Sequence, residues 1–284
     1  MRYVIISLAI LISMSTAVAQ NKSKVAKKNS LDFLEVPFNI DSQKLKWTGE
    51  HDISKVIAAI KKIDFKKDQF ETTAAYLART ENPQIFSMPI NSLLGFSFSF
   101  QDPGTPSQCY TKYDADKLDL IVECLTSTLQ RIYSPEKEKF IETFTFSKVT
   151  TTDGKSYVGE NNFGVKRRIS VRTAKGLGLA IRNLEGIAAT DFRSGLLKIE
   201  LRLPNFTQQT AKANMDDIGL LFIGELESPY LLRESKAEEP TIDRPIDYRG
   251  DFQYLNMFMR EVWVVNIRTK EILQRFDRSK TRLE

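Results

Sequence analysis

Histidine and cysteine, the residue types best suited to nucleophilic catalysis and metal binding, are scarce in this chain of 284 residues, which has one histidine and two cysteines. This scarcity excludes most zinc sites and most histidine-dependent catalysis. His51 would have to serve any Ser-His-Asp or Cys-His arrangement, yet no nucleophile motif such as Gly-x-Ser-x-Gly accompanies it. It precedes Asp52, whose position is typical of a helix N-cap. We therefore interpret His51 as a surface histidine beside a helix cap, and we assign no catalytic residue.

The two cysteines, Cys109 and Cys124, flank a segment that can fold back on itself. Residues 113–117 are polar and turn-like, and the pattern of residues 118–123 predicts a strand. A hairpin that turns there would place Cys109 opposite Cys124, within reach of a disulfide. We predict a structural disulfide and not a redox pair, because Cys-x-x-Cys spacing is absent. The alternative is a pair of buried free thiols.

Two other patterns could bind an ion or a phosphate, but neither meets the requirements of such a site. Asp114, Asp116 and Asp119 resemble the start of a calcium loop, yet Asp119 occupies the sixth position, where such a loop requires Gly. A polar hairpin turn is the simpler interpretation. Residues 176–178 form a lone Gly-x-Gly that does not open a helix, so we interpret it as a hairpin turn. We expect neither a metal nor a cofactor.

Paired carboxylates can cleave glycosidic bonds, and this chemistry requires no fixed spacing in the sequence. Four glutamates are available for it: Glu142, Glu160, Glu185 and Glu225. Nothing in the sequence selects two of them. A cleft that holds two of these carboxylates about 5–10 Å apart would therefore be needed to favour a hydrolase.

The positive charge of the chain does not indicate a nucleic-acid-binding domain, although the formal net charge is +5. Five basic residues and no acidic residue precede position 31, which leaves 36 basic and 36 acidic residues in the remainder. The excess charge therefore belongs to the amino-terminal segment. In the remainder, Lys166, Arg168 and Arg172 would share one face of a strand. They could touch an acidic surface such as lipid headgroups, and a solvated sheet face is the simpler interpretation.

The first 19 residues have the pattern of a secretory signal peptide. Arg2 precedes an apolar stretch at residues 4–14 that is too short to span a bilayer comfortably. Ala17 and Ala19 satisfy the small-x-small rule, so we predict cleavage between Ala19 and Gln20. Retention of the leader as a membrane anchor is the alternative.

Cleavage at that point predicts a periplasmic or secreted protein with no transmembrane segment. We expect a disordered basic arm at residues 20–30, because the segment is polar and rich in lysine. The globular body would then cover residues 31–284. It forms either one unit or two subdomains that meet near residue 150.

Two amphipathic helices are predicted near the start of the body, at residues 53–63 and 67–80, from the helical spacing of their apolar residues. Asp68 and Glu71 would form a capping box at the start of the second helix. A third, short helix is predicted at residues 207–215, with Asn205 or Thr207 as its cap.

Strands dominate the rest of the predicted structure. Alternating or continuous apolar patterns predict them near residues 31–38, 96–100, 141–149, 165–173, 177–181, 196–203, 219–226, 261–267 and 271–276. We expect hairpin turns at Asp153–Gly154 and at Lys175–Gly176, and an exposed loop over residues 234–249. The absence of a βαβ rhythm predicts an α+β fold of mainly antiparallel sheet, with about ten to twelve strands and two or three helices.

Four segments of the body are similar to parts of a group of uncharacterised exported bacterial proteins. These are FKKDQFETTAAYLAR at residues 65–79, YDADK at 113–117, NFGV at 162–165 and VWVVN at 262–266. Residues 268–270 depart from the group, in which a Thr-Gly turn is more usual. The resemblance implies an exported bacterial α+β protein, and it supplies no catalytic residue.

The sequence is consistent with two functions from different classes. The first is a non-enzymatic envelope protein, in a binding or structural role, with an envelope protein or a cell-wall component as its partner. The alternative is a periplasmic hydrolase that uses paired carboxylates. An exposed apolar patch would favour binding.

Overall fold

The computed structural model describes residues 33–81, 83–101, 108–127, 130–134, 139–183, 189–193 and 196–277, all within one compact unit, Leu31–Glu284. The predicted signal peptide, cleavage site and basic arm lie outside the described residues. The described part holds three α-helices, twelve strands of four or more residues and one pair of two-residue strands. Almost all pairings are antiparallel, so the predicted α+β fold is confirmed. None of the described helices has the length and apolar character needed to cross a membrane.

The elements follow one another along the chain as α1 (Ile53–Ile60), α2 (Thr73–Thr80), β1 (Gln84–Ile85), β2 (Met88–Pro89), β3 (Leu94–Ser99), β4 (Gln108–Asp114), β5 (Asp119–Ser127), β6 (Gln130–Ser134), β7 (Lys139–Asp153), β8 (Tyr157–Glu160), β9 (Lys166–Ile181), β10 (Ala189–Arg193), β11 (Leu196–Leu203), α3 (Gln208–Asn214), β12 (Ile218–Glu238), β13 (Ile246–Asn266) and β14 (Glu271–Asp277).

Helix α1 confirms the first predicted helix, although it ends three residues earlier. Asp52 caps it, because its carboxylate accepts hydrogen bonds from the backbone N–H groups of Ser54 and Lys55 at 2.8 and 3.2 Å. The apolar side chains that set the helical spacing all face the core: Ile53, Val56, Ile57 and Ile60. The sequence pattern thus identified both the helix and its buried face.

Helix α2 begins later than predicted. Asp68 does not cap it; instead, the Asp68 carboxylate closes a local turn by accepting from the Phe70 N–H at 2.8 Å. Thr72 is the cap, and its hydroxyl accepts from the Ala75 N–H at 3.1 Å. Phe70 is 87% exposed, and no residue of α2 is buried. The predicted start and the predicted apolar face of this helix are therefore both wrong.

Residues 33–51 form a covering segment and not the strand predicted at residues 31–38. Its β-bridges are isolated ones, between Phe33 and Glu50 inside the segment and between Lys46 and Glu271 of β14. Single backbone hydrogen bonds join it to other elements, such as the bond from the Phe38 N–H to the Leu93 carbonyl at 2.7 Å. Phe38 and Trp47 pack instead on one face of β12 and β13, against Trp263 and other buried side chains. The apolar residues of this stretch are thus used to cover a sheet, so their spacing follows the surface beneath them and not a strand period.

The two longest strands, β12 and β13, are antiparallel partners of 21 residues each. The predicted strand at 219–226 is the first third of β12. The predicted loop at 234–249 is wrong, since only residues 239–245 lie between the two strands. The polar composition has a simple reason: the distal ends of the two strands expose one face to solvent while Leu232 and Phe252 are buried.

Five strands close into a ring in the order β12, β13, β9, β7 and β6. Strand β9 lies parallel to β13, from Ser170 beside Ile246 to Ile181 beside Met257. The other contacts are antiparallel, and β6 meets β12 again at Arg233. Side chains from several ring strands fill the inside together: Ala174, Ala180, Leu232, Phe252 and Tyr254.

The glycines at 176 and 178 lie inside β9 and not in a turn, so the predicted turns at Lys175–Gly176 and at the Gly-x-Gly are wrong. A Cβ on Gly176 would lie 2.3 Å from the Phe252 ring, and one on Gly178 would lie 2.0 Å from the carbonyl oxygen of Phe146. Only glycine allows an aromatic ring and a neighbouring strand to come so close.

The predicted hairpin turn at Asp153–Gly154 is wrong as well. Strands β7 and β8 both pair with the same edge of β9, one after the other. Residues 154–156 therefore connect two strands that run in the same direction, and the chain does not reverse there. The chain reverses later, at residues 161–165, before it enters β9. The Asp-Gly pair has turn chemistry, but here it marks a break in a strand.

A second sheet, in the order β10, β11, β5, β4, packs one face on the main core. Cys109 on β4 lies directly opposite Cys124 on β5, and the two form a disulfide, as predicted. Strand β11 and helix α3, which Thr207 caps, are close to their predicted positions. The predicted closing hairpin is confirmed as the pairing of β13 with β14.

Candidate functional site

His51 is buried and not a surface histidine, so that prediction is wrong. The side chain is 3% exposed. Its Nε2 donates to the Val36 carbonyl at 3.0 Å, and its Nδ1 accepts from the Gly95 N–H at 3.1 Å. Burial lowers the pKa of the imidazole. His51 therefore joins the covering segment to β3 as a neutral ring, and this use of both ring nitrogens is structural.

Glu50 makes a second buried link between the same two elements. Its carboxylate accepts from the Ser97 N–H at 3.0 Å. Burial raises the pKa of this carboxyl, and the hydrogen bond from Ser97 opposes that shift. Ser97 is buried as well. Strand β3, which its alternating pattern predicted to be half-buried, is thus covered on both faces.

The aspartates of the YDADK segment form a turn, as the simpler interpretation predicted. The Asp114 carboxylate accepts from the backbone N–H groups of Asp116 and Lys117, both at 3.2 Å. Asp119 begins β5 and forms an ion pair with Arg202 at 3.8 Å. In the described residues, no three His, Cys, Asp or Glu side chains are close enough together to hold a metal ion.

The glutamates proposed for hydrolysis do not form a pair among the described side chains. Glu160 lies on β8 in an ion pair with Lys166 at 3.5 Å. Glu225 lies on β12 and lines a cavity that Glu160 does not line. The side chain of Glu142 and the whole of Glu185 lie outside the described residues.

That cavity is a groove between the covering segment and the sheet, with a volume of about 580 Å³. It is the candidate functional site, and we name it the carboxylate groove. Seven of the described residues line it: Ile40, Leu93, Glu225, Phe258, Arg260, Glu261 and Asp277. Apolar side chains form part of the wall, while three carboxylates and one guanidinium supply the polar part.

A β-bulge in β13 brings the groove residues to one side. Ile223 pairs with Glu261 but its neighbour Gly224 pairs with Met259, so Arg260 is an extra residue between them. Because of this extra residue, the Glu261 side chain lies on the same face of the strand as the side chains of Phe258 and Arg260. Without it, strict alternation would send Glu261 to the opposite face.

Glu225 and Glu261 accept hydrogen bonds from neighbouring side chains of the sheet. The Arg260 guanidinium donates to both oxygens of Glu225, at 3.1 and 3.3 Å, and lies 5.6 Å from the centre of the Phe258 ring. Glu261 accepts from the indole N–H of Trp263 at 2.5 Å. Asp277 lies opposite Glu261 on β14. The described lining thus holds three acidic residues and one basic residue.

Sequence reasoning found only Glu225 of this set. The segment Phe-Met-Arg-Glu at residues 258–261 contains a usable signal, because two adjacent charged residues interrupt the alternation of a buried strand. The remaining wall residues come from segments far apart in the sequence, and only the fold brings them together.

Comparison of the chain with protein-family models, with curated proteins and with solved structures gave no match. The site must therefore be interpreted from its own chemistry.

Proposed function

We propose that this protein is a non-enzymatic binding protein of the bacterial envelope, and that its carboxylate groove holds a cationic group of a partner protein or cell-wall component. One observation carries the proposal: among the described residues, three carboxylates and one guanidinium line a cavity whose wall is partly apolar. A lysine or arginine side chain matches this pattern, because its apolar stem can lie on Ile40 and Leu93 while its charge meets the carboxylates. Because Glu225 engages the Arg260 guanidinium while Glu261 accepts from a neutral indole, Glu261 is a source of excess negative charge in the groove.

Location in the envelope is part of the same proposal. The leader at residues 1–19 supports export, and the Cys109–Cys124 disulfide is compatible with an oxidising compartment. We expect amino-terminal sequencing of protein from the envelope to begin at Gln20. A chain that still begins at Met1 would contradict cleavage and favour a retained anchor.

Hydrolysis by paired carboxylates remains the second candidate, because three carboxylates line one groove. Their present contacts favour binding. An acid or base catalyst must exchange a proton with the substrate, whereas both oxygens of Glu225 are engaged by Arg260 and Glu261 accepts from an indole. Cleavage of chromogenic glycosides that is lost in Glu225→Gln would favour the hydrolase.

Trp263 offers a direct readout of the groove, since its indole N–H is bonded to Glu261. We would titrate ¹⁵N-labelled protein with acetyl-Phe-Lys-Phe-amide and follow the two tryptophan indole resonances by NMR. The Trp263 signal should shift, and that of Trp47, which does not line the groove, should stay in place. The matching peptide with glutamine in place of lysine should bind about tenfold more weakly, because it lacks the charge.

Charge-neutral variants test whether the carboxylates cause the binding. Glu261→Gln combined with Asp277→Asn keeps the shape and an oxygen for the Trp263 indole, and should weaken lysine-peptide binding by about tenfold or more. Glu271→Gln, also on β14 but outside the groove, is the matched control and should bind normally. Equal affinity for both peptides, or no shift at Trp263, would contradict the proposed function.

A further inference from the structure

Exposed apolar side chains gather at one end of the molecule, away from the carboxylate groove. They lie on the hairpin of β8 and the start of β9, residues 157–169, which we name the ribbon, and on the loop 239–245 beside it. Five large apolar residues are exposed there: Tyr157, Val158, Phe163, Val165 and Ile242. Phe163 is 90% exposed and Val158 69%. A cluster of exposed apolar side chains on a solvent-accessible surface is typical of an interaction site.

The turn that presents Phe163 is held by hydrogen bonds. The Asn161 carboxamide oxygen accepts from the N–H groups of Phe163 and Val165 at 3.0 and 2.9 Å. The Gly164 N–H donates to the Asn161 carbonyl at 2.9 Å, and Gly164 has a φ of +77°, which favours glycine. The turn therefore fixes the backbone from which the phenyl ring projects.

A cavity of about 370 Å³ lies between the ribbon and the loop, close to the projecting ring. Phe163 itself does not line it. Its apolar lining comes from Tyr157, Val165, Ile169, Pro240 and Ile242. One end of the molecule thus carries both a protruding aromatic side chain and a cavity with a partly apolar lining, whose polar residues include Glu160, Asn161 and Arg167.

Charge is divided across the same surface. The ribbon holds three basic residues and one acidic residue: Lys166, Arg167, Arg168 and Glu160. The neighbouring residues 238–247 hold four acidic residues and one basic residue: Glu238, Glu239, Asp243, Asp247 and Arg244. Some of these charges pair locally: Lys166 with Glu160, Arg244 with Glu238, and Asp247 with Arg249 just beyond this range. A net positive strip nevertheless lies beside a net negative one.

We propose that the partner of this surface is a second copy of the same chain. In a two-fold dimer, Phe163 of each copy would enter the cavity of the other copy. The basic ribbon of one copy would then face the acidic loop of its partner. A two-fold interface must be self-complementary, and this surface carries an exposed ring beside a cavity and a basic strip beside an acidic one. An anionic lipid surface fits less well, because the acidic residues beside the ribbon would oppose it.

Sedimentation equilibrium over a range of protein concentrations measures the association. Wild-type protein should dimerise, and Phe163→Ser should raise the dimer dissociation constant on the order of 100-fold, since each dimer loses two buried rings. Phe70→Ser is the matched control: Phe70 is 87% exposed on a different segment, and its loss should leave dimerisation unchanged. Both positions are exposed, so neither variant should unfold the protein.

A mixing experiment tests the reciprocal insertion. Ile242→Arg keeps Phe163 but obstructs the cavity, whereas Phe163→Ser keeps the cavity but lacks the ring. Each variant alone should be monomeric, and an equimolar mixture should recover part of the association, because one of the two insertions is restored. Wild-type protein that stays monomeric, or Phe163→Ser that dimerises normally, would overturn the proposal. Binding to phosphatidylglycerol vesicles that requires Phe163, without dimerisation, would overturn it in favour of a lipid surface.

Discussion

His51 connects the covering segment to β3 through two backbone groups, and its neutral form is the one that fits. Its Nε2 donates to a carbonyl and its Nδ1 accepts from an N–H. Protonation would replace the acceptor with a second donor directed at the Gly95 N–H. Burial lowers the pKa of the ring through a separate cause, since a charged imidazole is poorly solvated there.

Replacement of His51 should therefore have an effect that depends on pH. At pH 7.5, His51→Ala should lower the free energy of unfolding by about 2–4 kcal/mol, because two buried backbone groups lose their partner. Below the unfolded-state pKa of 6.5, the unfolded wild-type chain binds more protons than the folded one. Wild-type stability then falls as pH falls, and the difference from the variant should narrow by pH 5.

Urea unfolding at the two pH values measures this difference, with Glu35→Gln as an exposed control in the same segment. The raised pKa of Glu50 gives the opposite slope: its contribution is present at low pH and is lost as pH rises through the raised value. Both wild type and variant retain Glu50, so its effect cancels in the comparison. A difference that stays constant between pH 7.5 and pH 5 would contradict the role assigned to His51.

The burial of His51 could not be predicted from the sequence. Its partners are backbone groups of Val36 and Gly95, and backbone groups leave no trace in the pattern of side chains. The adjacent cap, in contrast, could be predicted, because Asp52 acts on the next turn of chain. The carboxylate groove could not be predicted from the sequence either, because Ile40, Glu225 and Asp277 meet only after three distant segments have folded.

At the scale of elements, β7 and β9 approach each other so closely at Gly178 that a methyl group has no room. A Cβ there would lie 2.0 Å from the Phe146 carbonyl oxygen and 2.7 Å from the Ser147 Cα. Gly178→Ala must therefore separate two strands of the ring, and should lower the free energy of unfolding by about 3 kcal/mol or more.

Gly154→Ala is the matched control for this substitution. Its added Cβ would lie 3.3 Å from the nearest atoms, in the Val171 side chain, which can adjust. We expect a change within about 1 kcal/mol, because Gly154 is exposed at the break between β7 and β8. Chemical denaturation of both variants gives the test. Similar stability for the two alanine variants would mean that β7 and β9 tolerate a wider separation than their register indicates.

Local sequence patterns were sufficient to predict the helices and strands whose apolar residues all face the same core. Helix α1 and strand β11 followed their predicted spacing for that reason. The lengths of β12 and β13 could not be predicted, because their distal ends are polar where one face meets solvent. In the sequence, a Gly-x-Gly pair looks the same whether it lies in a turn or in a crowded strand. Here the strand is identified only by the Phe252 ring that packs on Gly176 in the fold.

At the scale of the whole molecule, the positive charge is not distributed evenly. The 36 basic and 36 acidic residues from position 31 onward balance, whereas the first 30 residues contain only basic charge. Removal of residues 1–30 should therefore lower the isoelectric point from about 9.0 to near neutrality. Isoelectric focusing of the two proteins measures the shift. A truncated protein that still focuses near pH 9 would show that carboxyl groups of the body are protonated far above their usual range.

The order of strands in the ring has a consequence for synthesis. The ribosome releases β7 and β9 early, and they can pair as soon as Ile181 has emerged. Strand β13, which must lie between β9 and β12, is completed only at Asn266. Until then, the nascent chain presents hydrogen-bonding edges on β9 and β12 to any other chain nearby. A message cut short before residue 246 would leave those edges permanently unpaired, so its product should aggregate or be degraded and should not persist as a smaller folded protein.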